Sequence, residues 1–313
     1  MMFIFRVAVL LLLPLLNFAQ QNEEPEFNEN RLLETGRFKD AVKYFSKAIA
    51  TDNTKPVYYY KRALAYRGIK DVQQAHDDLT TAIKLDGTYA LAYLERAMLF
   101  SGAKMYSASI NDLDMAVKYA KDDSVLYHTM LFRSSVRLSI RNFNGAYEDS
   151  KAFYDHDSTS RDALVNMALS KLELNQHDEA VTFLRKIIDK EKNDTMALLN
   201  MGFVYSRMEN YDSALYYLKR TCQLDPKNAY ALSNLSYAKL KVGRPRDGLI
   251  DINESIRYFP ENSYAFRNRA LIYLELNEKE KACMDMRTAI KKGFTEMYGT
   301  EVLNLIDENC KEK

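Results

Sequence analysis

The chain has 313 residues, room for one large domain or two ordinary ones, with 47% apolar and 28% charged residues. Lys and Arg total 44 against 43 Asp and Glu, a net charge of +1 with no basic stripe, which argues against a dedicated nucleic-acid binder. Only 10 glycines and 6 prolines are present, few for a fold of many short strands, so the composition favours helices.

The first nineteen residues differ from the rest. A short start carrying one positive charge, Arg6, leads into an apolar run over 7–16 that is broken late by Pro14, and then into Asn17-Phe18-Ala19. This order matches a secretory signal peptide (1–19) cleaved after Ala19. The run is shorter than the about 20 residues that span a bilayer, so no membrane span is expected after cleavage. No cysteine follows it, which excludes bacterial lipid attachment there. A polar, acidic segment (20–29) with Glu23, Glu24, Glu26 and Glu29 comes next. The chain reads as exported, periplasmic or secreted. Outer-membrane association and a eukaryotic secretory origin stay open.

A fixed period governs the remainder. Small residues stand at Ala41, Ala75, Ser109, Ala146, Ala180, Ala214, Gly248 and Ala282, at intervals of 34, 34, 37, 34, 34, 34 and 34 residues. With that residue as position 20, units begin at 22, 56, 90, 127, 161, 195, 229 and 263. Position 8 is small in seven of the eight units, and two helices in close contact need small side chains where their backbones approach. Positions 20, 24, 27 and 28 make one apolar stripe at helical spacing. Breakers such as Thr35-Gly36 and Gly243-Arg244-Pro245 divide each unit. Others, such as Asp86-Gly87 and Asp225-Pro226, separate one unit from the next. Each unit is a helix, a turn and a second helix, here helix A and helix B.

The pattern resembles the tetratricopeptide repeat over 22–296. An aromatic stands at position 4 (Tyr59, Tyr93, Phe266), Tyr at 11 (Tyr66, Tyr205, Tyr273), an aromatic at 17 (Phe38, Tyr106, Phe143, Tyr211) and Pro at 32 (Pro226, Pro260). Trp is absent, and the first helix of unit 1 matches poorly. The resemblance implies an all-α, right-handed superhelical solenoid of about eight helix–turn–helix repeats, closed by a C-terminal capping helix within 297–313. It implies protein or peptide partners and no cofactor, with helices A lining an inner, concave surface.

Superposing the units exposes two side-chain patterns. Position 23 is Asp78, Asp112, Asp149, Asp251 and Asp285, and sixteen residues earlier stand Arg62, Arg96, Arg133 and Arg269, while unit 7 has Leu235 there. Units 5 and 6 are apolar at both places, with Met167 and Phe183, then Met201 and Tyr217. We expect Arg–Asp bridges between helices A and B of one unit. Since Arg133 keeps its spacing to Asp149, the three extra residues fall before helix A of unit 4, near 121–126.

Position 6 reads Asn166, Asn200, Asn234 and Asn268. On an inner surface such a row offers a donor and an acceptor per unit and resembles the asparagine ladders of peptide-binding tetratricopeptide arrays. A local structural reason for the row is the alternative. Phe203, Tyr237 and Arg267 flank it, and apolar residues not needed for packing suggest a partner surface. The two-carboxylate clamp pattern of chaperone-tail-binding relatives is missing.

Cys222, Cys283 and Cys310 lack paired zinc-ligand spacing. Antiparallel terminal helices would bring Cys283 near Cys310, which leaves a disulfide in an oxidising compartment or two thiols. The four histidines are isolated, and no P-loop, GxSxG or dinucleotide motif occurs. The expectation is therefore a scaffold that binds an extended peptide or partner helix, with no catalytic or metal site. A structural subunit of a cell-envelope assembly, using outer faces or the acidic tail, is the alternative.

Overall fold

The computed structural model describes residues 29–310. The signal segment with its cleavage at Ala19, residues 20–28 of the acidic stretch and residues 311–313 lie outside the described residues.

Every element among the described residues is a helix, and the helices come in pairs at the intervals read from the sequence. Units 1 to 4 are α1 (Glu29–Glu34) with α2 (Phe38–Thr51), α3 (Pro56–Gly68) with α4 (Val72–Leu85), α5 (Ala90–Gly102) with α6 (Tyr106–Tyr119), and α7 (Asp123–Ser139) with α8 (Phe143–His156). Units 5 to 8 are α9 (Arg161–Glu173) with α10 (His177–Lys190), α11 (Thr195–Arg207) with α12 (Tyr211–Leu224), α13 (Ala229–Lys241) with α14 (Pro245–Tyr258), and α15 (Ser263–Glu275) with α16 (Lys279–Lys291). Two short helices, α17 (Phe294–Tyr298) and α18 (Glu301–Asn309), close the chain. Two compact units divide at Ser170 and Lys171, within α9.

The turn between helices A and B is the same in all eight repeats. Position 15 is left-handed throughout. Gly36 and Gly243 take φ of 71° and 73°, while Lys70, Lys104, Arg141, Asn175, Glu209 and Asn277 lie between 57° and 64°. In each turn the next residue's N–H bonds to the carbonyl five residues back, as Asp71 does to Tyr66 and Glu278 to Tyr273. This is a Schellman closure, which satisfies carbonyls that the end of a helix leaves open. Between units, Asp52, Asp86 and Asp157 each accept from the backbone N–H and hydroxyl of the threonine two residues on. Those turns hold helix B of one unit against helix A of the next.

The three extra residues of unit 4 lengthen its first helix. α7 has 17 residues where the A helices of units 2, 3 and 5 to 8 have 13, and it starts on an Asp122 cap whose side chain accepts from the Val125 N–H.

Position 24 supplies the core of every unit. Phe45, Leu79, Leu113, Ser150, Leu184, Leu218, Ile252 and Met286 are all 2% exposed or less. The small residues at 8 and 20 mark where the two helices of a unit meet. In unit 3 the Ser109 hydroxyl donates to the Ala97 carbonyl at 2.8 Å. In unit 7 the approach is closer still, since a Cβ on Gly248 would stand 2.7 Å from the Ser236 carbonyl oxygen. Gly248→Ala should therefore lower stability by about 1–2 kcal/mol through overpacking, although alanine is the better helix former by about 1 kcal/mol. Urea unfolding checks the sign, and a stabilised variant would show that α13 and α14 can part freely.

Candidate functional site

The arginines at position 7 each join three helices. Arg62 donates from Nε and Nη2 to the two oxygens of Asp78 at 2.7 and 2.8 Å, and Arg96 treats Asp112 identically. Arg133 with Asp149 and Arg269 with Asp285 repeat the fork. The remaining Nη1 reaches back to position 25 of the preceding helix B, at Ser46, Thr80, Asp114 and Asn253 in turn. This third partner was not read from the sequence, yet a signal exists. Before the apolar Met167, Met201 and Leu235, position 25 is Lys151, Arg185 and Lys219, none of which accepts a hydrogen bond. Unit 7, which lacks the arginine, still pairs its aspartate. Lys239, one turn further along α13, places Nζ 2.5 Å from Asp251 Oδ2. Burial pushes the Asp251 carboxyl up, and Lys239 pulls it back.

The asparagine row is buried, not displayed. Asn166, Asn200, Asn234 and Asn268 are 3%, 1%, 4% and 0% exposed. The end members are satisfied within the protein. Asn166 Nδ2 donates to the Ser134 and Ser135 hydroxyls at 2.6 and 3.0 Å, and Asn268 Nδ2 donates to the Ser233 carbonyl and hydroxyl. These bonds run from one A helix to the A helix before it, so the serines on the facing helix decide which amides are satisfied. Leu199, Gly202 and Phe203 hold the corresponding places before Asn234 and carry no side-chain acceptor. The Nδ2 atoms of Asn200 and Asn234 are buried with no hydrogen-bond partner.

The flanking residues lie on the same helices. Phe203 is buried, and Tyr237 is half-buried. Arg267, 8% exposed, has its guanidinium carbon 5.2 Å from the Tyr237 ring and 5.4 Å from that of Tyr264. Its Nη1 donates to Asn268 Oδ1 at 2.9 Å, while Nε and Nη2 both donate to Glu301 Oε1, Nε at 3.0 Å. Cys283 of α16 and Cys310 after α18 form a disulfide with Cα atoms 5.7 Å apart. Cys222 is free, and burial pushes its thiol up to about 12. Among the described residues no group of three His, Cys, Asp or Glu is placed to hold a metal ion, and no helix is long and apolar enough to cross a membrane.

Residues 162–194 and 196–228 match the family model of the tetratricopeptide repeat. Units 5 and 6 are tetratricopeptide repeats, and the chain has the tetratricopeptide-repeat fold. Solved structures share its fold. A tetratricopeptide repeat protein from Parabacteroides merdae is 15% identical over 80% of this chain and 98% of its own, with a TM-score of 0.70. Yeast Tom70 is 15% identical over 94% of this chain and 66% of its own, with a TM-score of 0.58. The structure of the APC/C hetero-tetramer Cut9–Hcn1 is 16% identical over 79% of this chain, which spans 48% of the matched chain, with a TM-score of 0.60. No curated protein matches the sequence.

Where the later repeats carry asparagine at position 6, the protein has Glu95 in unit 3, buried at 6% exposure and bonded to Arg67 of α3. Burial raises its carboxyl, and Arg67 opposes the rise. Tyr60, also raised by burial, feels the same carboxylate. An acid raised in the folded state adds stability that is full below its unfolded value and is lost as pH climbs through the folded value. Lowering the pH from 7 toward 4.5 should therefore favour the wild type relative to Glu95→Gln. Melting temperatures of both proteins across that window test this, and parallel curves would refute it.

Proposed function

We propose that the chain is a non-catalytic protein–protein interaction scaffold that holds an extended peptide segment along the A-helix row α11, α13 and α15. The observation that carries this is the pair of buried, unsatisfied amide nitrogens on Asn200 and Asn234. A buried donor without a partner costs about 1–3 kcal/mol. A peptide carbonyl that each side chain swings out to meet would recover that cost. An extended chain supplies such carbonyls whatever its side chains, so backbone would be held and sequence read elsewhere. Tyr237, half-buried, flanks the amides with apolar surface. The fold allied to Cut9 has been seen in a hetero-tetramer with Hcn1, a protein partner for a similar array.

Export is part of the same reading. Residues 1–19 carry the signal pattern, and the Cys283–Cys310 disulfide suits an oxidising compartment.

A second reading, a structural subunit of a cell-envelope assembly, is favoured by the outer faces of the B helices. Tyr216, Ile250 and Met284 stand at position 22 of three successive units and are 59%, 67% and 66% exposed. Crosslinking and pull-down from the native cell envelope separates the two. With Asn200→Ala and Asn234→Ala combined and helicity unchanged, one or two proteins should vanish from the wild-type list. Identical lists would refute the groove. Partners that survive this change but are lost when 20–30 is deleted would support the second reading.

A further inference from the structure

Position 22 of helix B is exposed in all eight units. Units 1 to 5 place polar residues there, Lys43, Asp77, Asn111, Glu148 and Thr182. Units 6 to 8 place Tyr216, Ile250 and Met284 there, the most exposed large apolar side chains among the described residues. The fold does not ask for apolar side chains at this place, since five units fill it with polar ones. Further along the same helix faces, at i+3 or i+7, stand Lys219, Arg287 and Lys291. All three are exposed, and among the described residues no carboxylate is set against them. The one acid on that half of the outer faces, Glu254, is taken by Arg257. Nearer the helix starts, Asp247 is bonded to Arg244, while Asp212 and Glu280 sit in first turns that favour negative charge. The result is an apolar stripe edged by unanswered positive charge.

We propose that this outer stripe is a self-recognition surface whose occupant is the acidic segment 20–28 of a second copy. That segment has Glu23, Glu24 and Glu26, no basic residue, and a single large apolar side chain, Phe27. Phe27 beds on the stripe at Ile250, its central member, and the glutamates meet Lys219 and Arg287. Aromatic anchors on apolar seats carry most of the energy of an interface. The charges steer the encounter and fix register more than they add affinity. A second basic row lies on α2, at Lys39, Lys43 and Lys47, but it has lysine at position 22 and gives Phe27 no apolar seat. A tail on one copy and a face on the next make a heterologous contact, which propagates head to tail into rings or open chains. This rests on the assembly-subunit reading, with the chain itself as the partner.

The test is complementation, followed by sedimentation velocity on the chain from Gln20 onward. The mean mass of the wild type should rise with concentration past two copies. Phe27→Ser spoils the tail and Ile250→Ser spoils the face, so each should associate at least about tenfold more weakly. Ile250→Ser changes an exposed side chain and should leave the melting temperature as it was. An equimolar mixture of the two variants retains one sound tail and one sound face, so it should form a heterodimer and stop there. Raising sodium chloride from about 50 to about 500 mM should weaken wild-type association roughly tenfold. A wild type that stays monomeric, or variants that associate as it does, overturns the proposal. So does a mixture that fails to pair although both variants are monomeric, the result expected of a face that meets itself. Binding of a monomeric wild type to phosphatidylglycerol vesicles, lost in Ile250→Ser, would give the face to a membrane instead. Envelope partners lost with Ile250→Ser from a monomeric wild type would overturn the self-contact and leave the assembly reading standing.

Discussion

Arg96→Ala with Asp112 retained should destabilise the protein by about 3–5 kcal/mol, the range for stripping one partner from a buried ion pair. The Asp112 side chain is 8% exposed and receives two hydrogen bonds from Arg96. Without them a carboxylate stays buried between α5 and α6 with its charge unanswered. Thr80 of α4 loses its bond to Nη1 as well, so the damage extends to the junction between units 2 and 3. Replacing both partners by apolar residues, Arg96→Met with Asp112→Phe, should recover most of the loss. Unit 5 already shows that choice of residues, with Met167 and Phe183 at the same two positions. An apolar pair needs no desolvation of charge, which is why such exchanges are often neutral. Denaturant unfolding of the single and double variants is the measurement. Equal midpoints would mean that the fork contributes nothing beyond its packing.

Reducing the Cys283–Cys310 disulfide should cost about 2–4 kcal/mol, since it closes a loop of 27 residues. The loss should be local. α17 and α18 have 5 and 9 residues, too few to persist as isolated helices. What holds them is the packing of Phe294 and Val302, both 0% exposed, against Phe266, Ala282 and Met286. In a repeat array the terminal unit has a neighbour on one side only and depends most on such a staple. Hydrogen exchange with and without reductant should show α18 and then α16 losing protection while α11 keeps its own. Unchanged protection under reducing conditions would show that the apolar contacts suffice. The Cys283→Ser, Cys310→Ser variant should behave as the reduced protein does.

Much of this was legible in the linear pattern, and the reason is repetition. A contact made within every unit leaves the same residue type at the same offset, so superposing the units raises it above the noise. The small residues at 8 and 20, the stripe through 24 and the sixteen-residue spacing of Arg62 to Asp78 are of this kind. The left-handed turn at position 15 was less visible. Gly36 and Gly243, with Asn175 and Asn277, advertise it, and Lys70, Lys104, Arg141 and Glu209 are driven into it by the Schellman bonds on either side. There the tertiary need for a short reversal overrides local preference.

Contacts between units were harder to see, because they couple two faces that vary separately. The reach of Arg96 to Thr80, the substitution of Lys239 for the missing arginine and the seat of Arg267 on Glu301 all depend on which neighbour the next helix presents. The asparagine row shows the limit most clearly. Sequence alone placed one amide per repeat on helices A and named their flanking aromatics. Only the packing of one A helix on the next buried those amides, gave Asn166 and Asn268 serine partners, and left Asn200 and Asn234 with none. The repeat register, the paired charges and the helical class follow from periodic chemistry that each unit carries by itself. Whether a given polar atom is satisfied is settled by distances of a few tenths of an ångström across an interface, and that information exists only once the helices are packed.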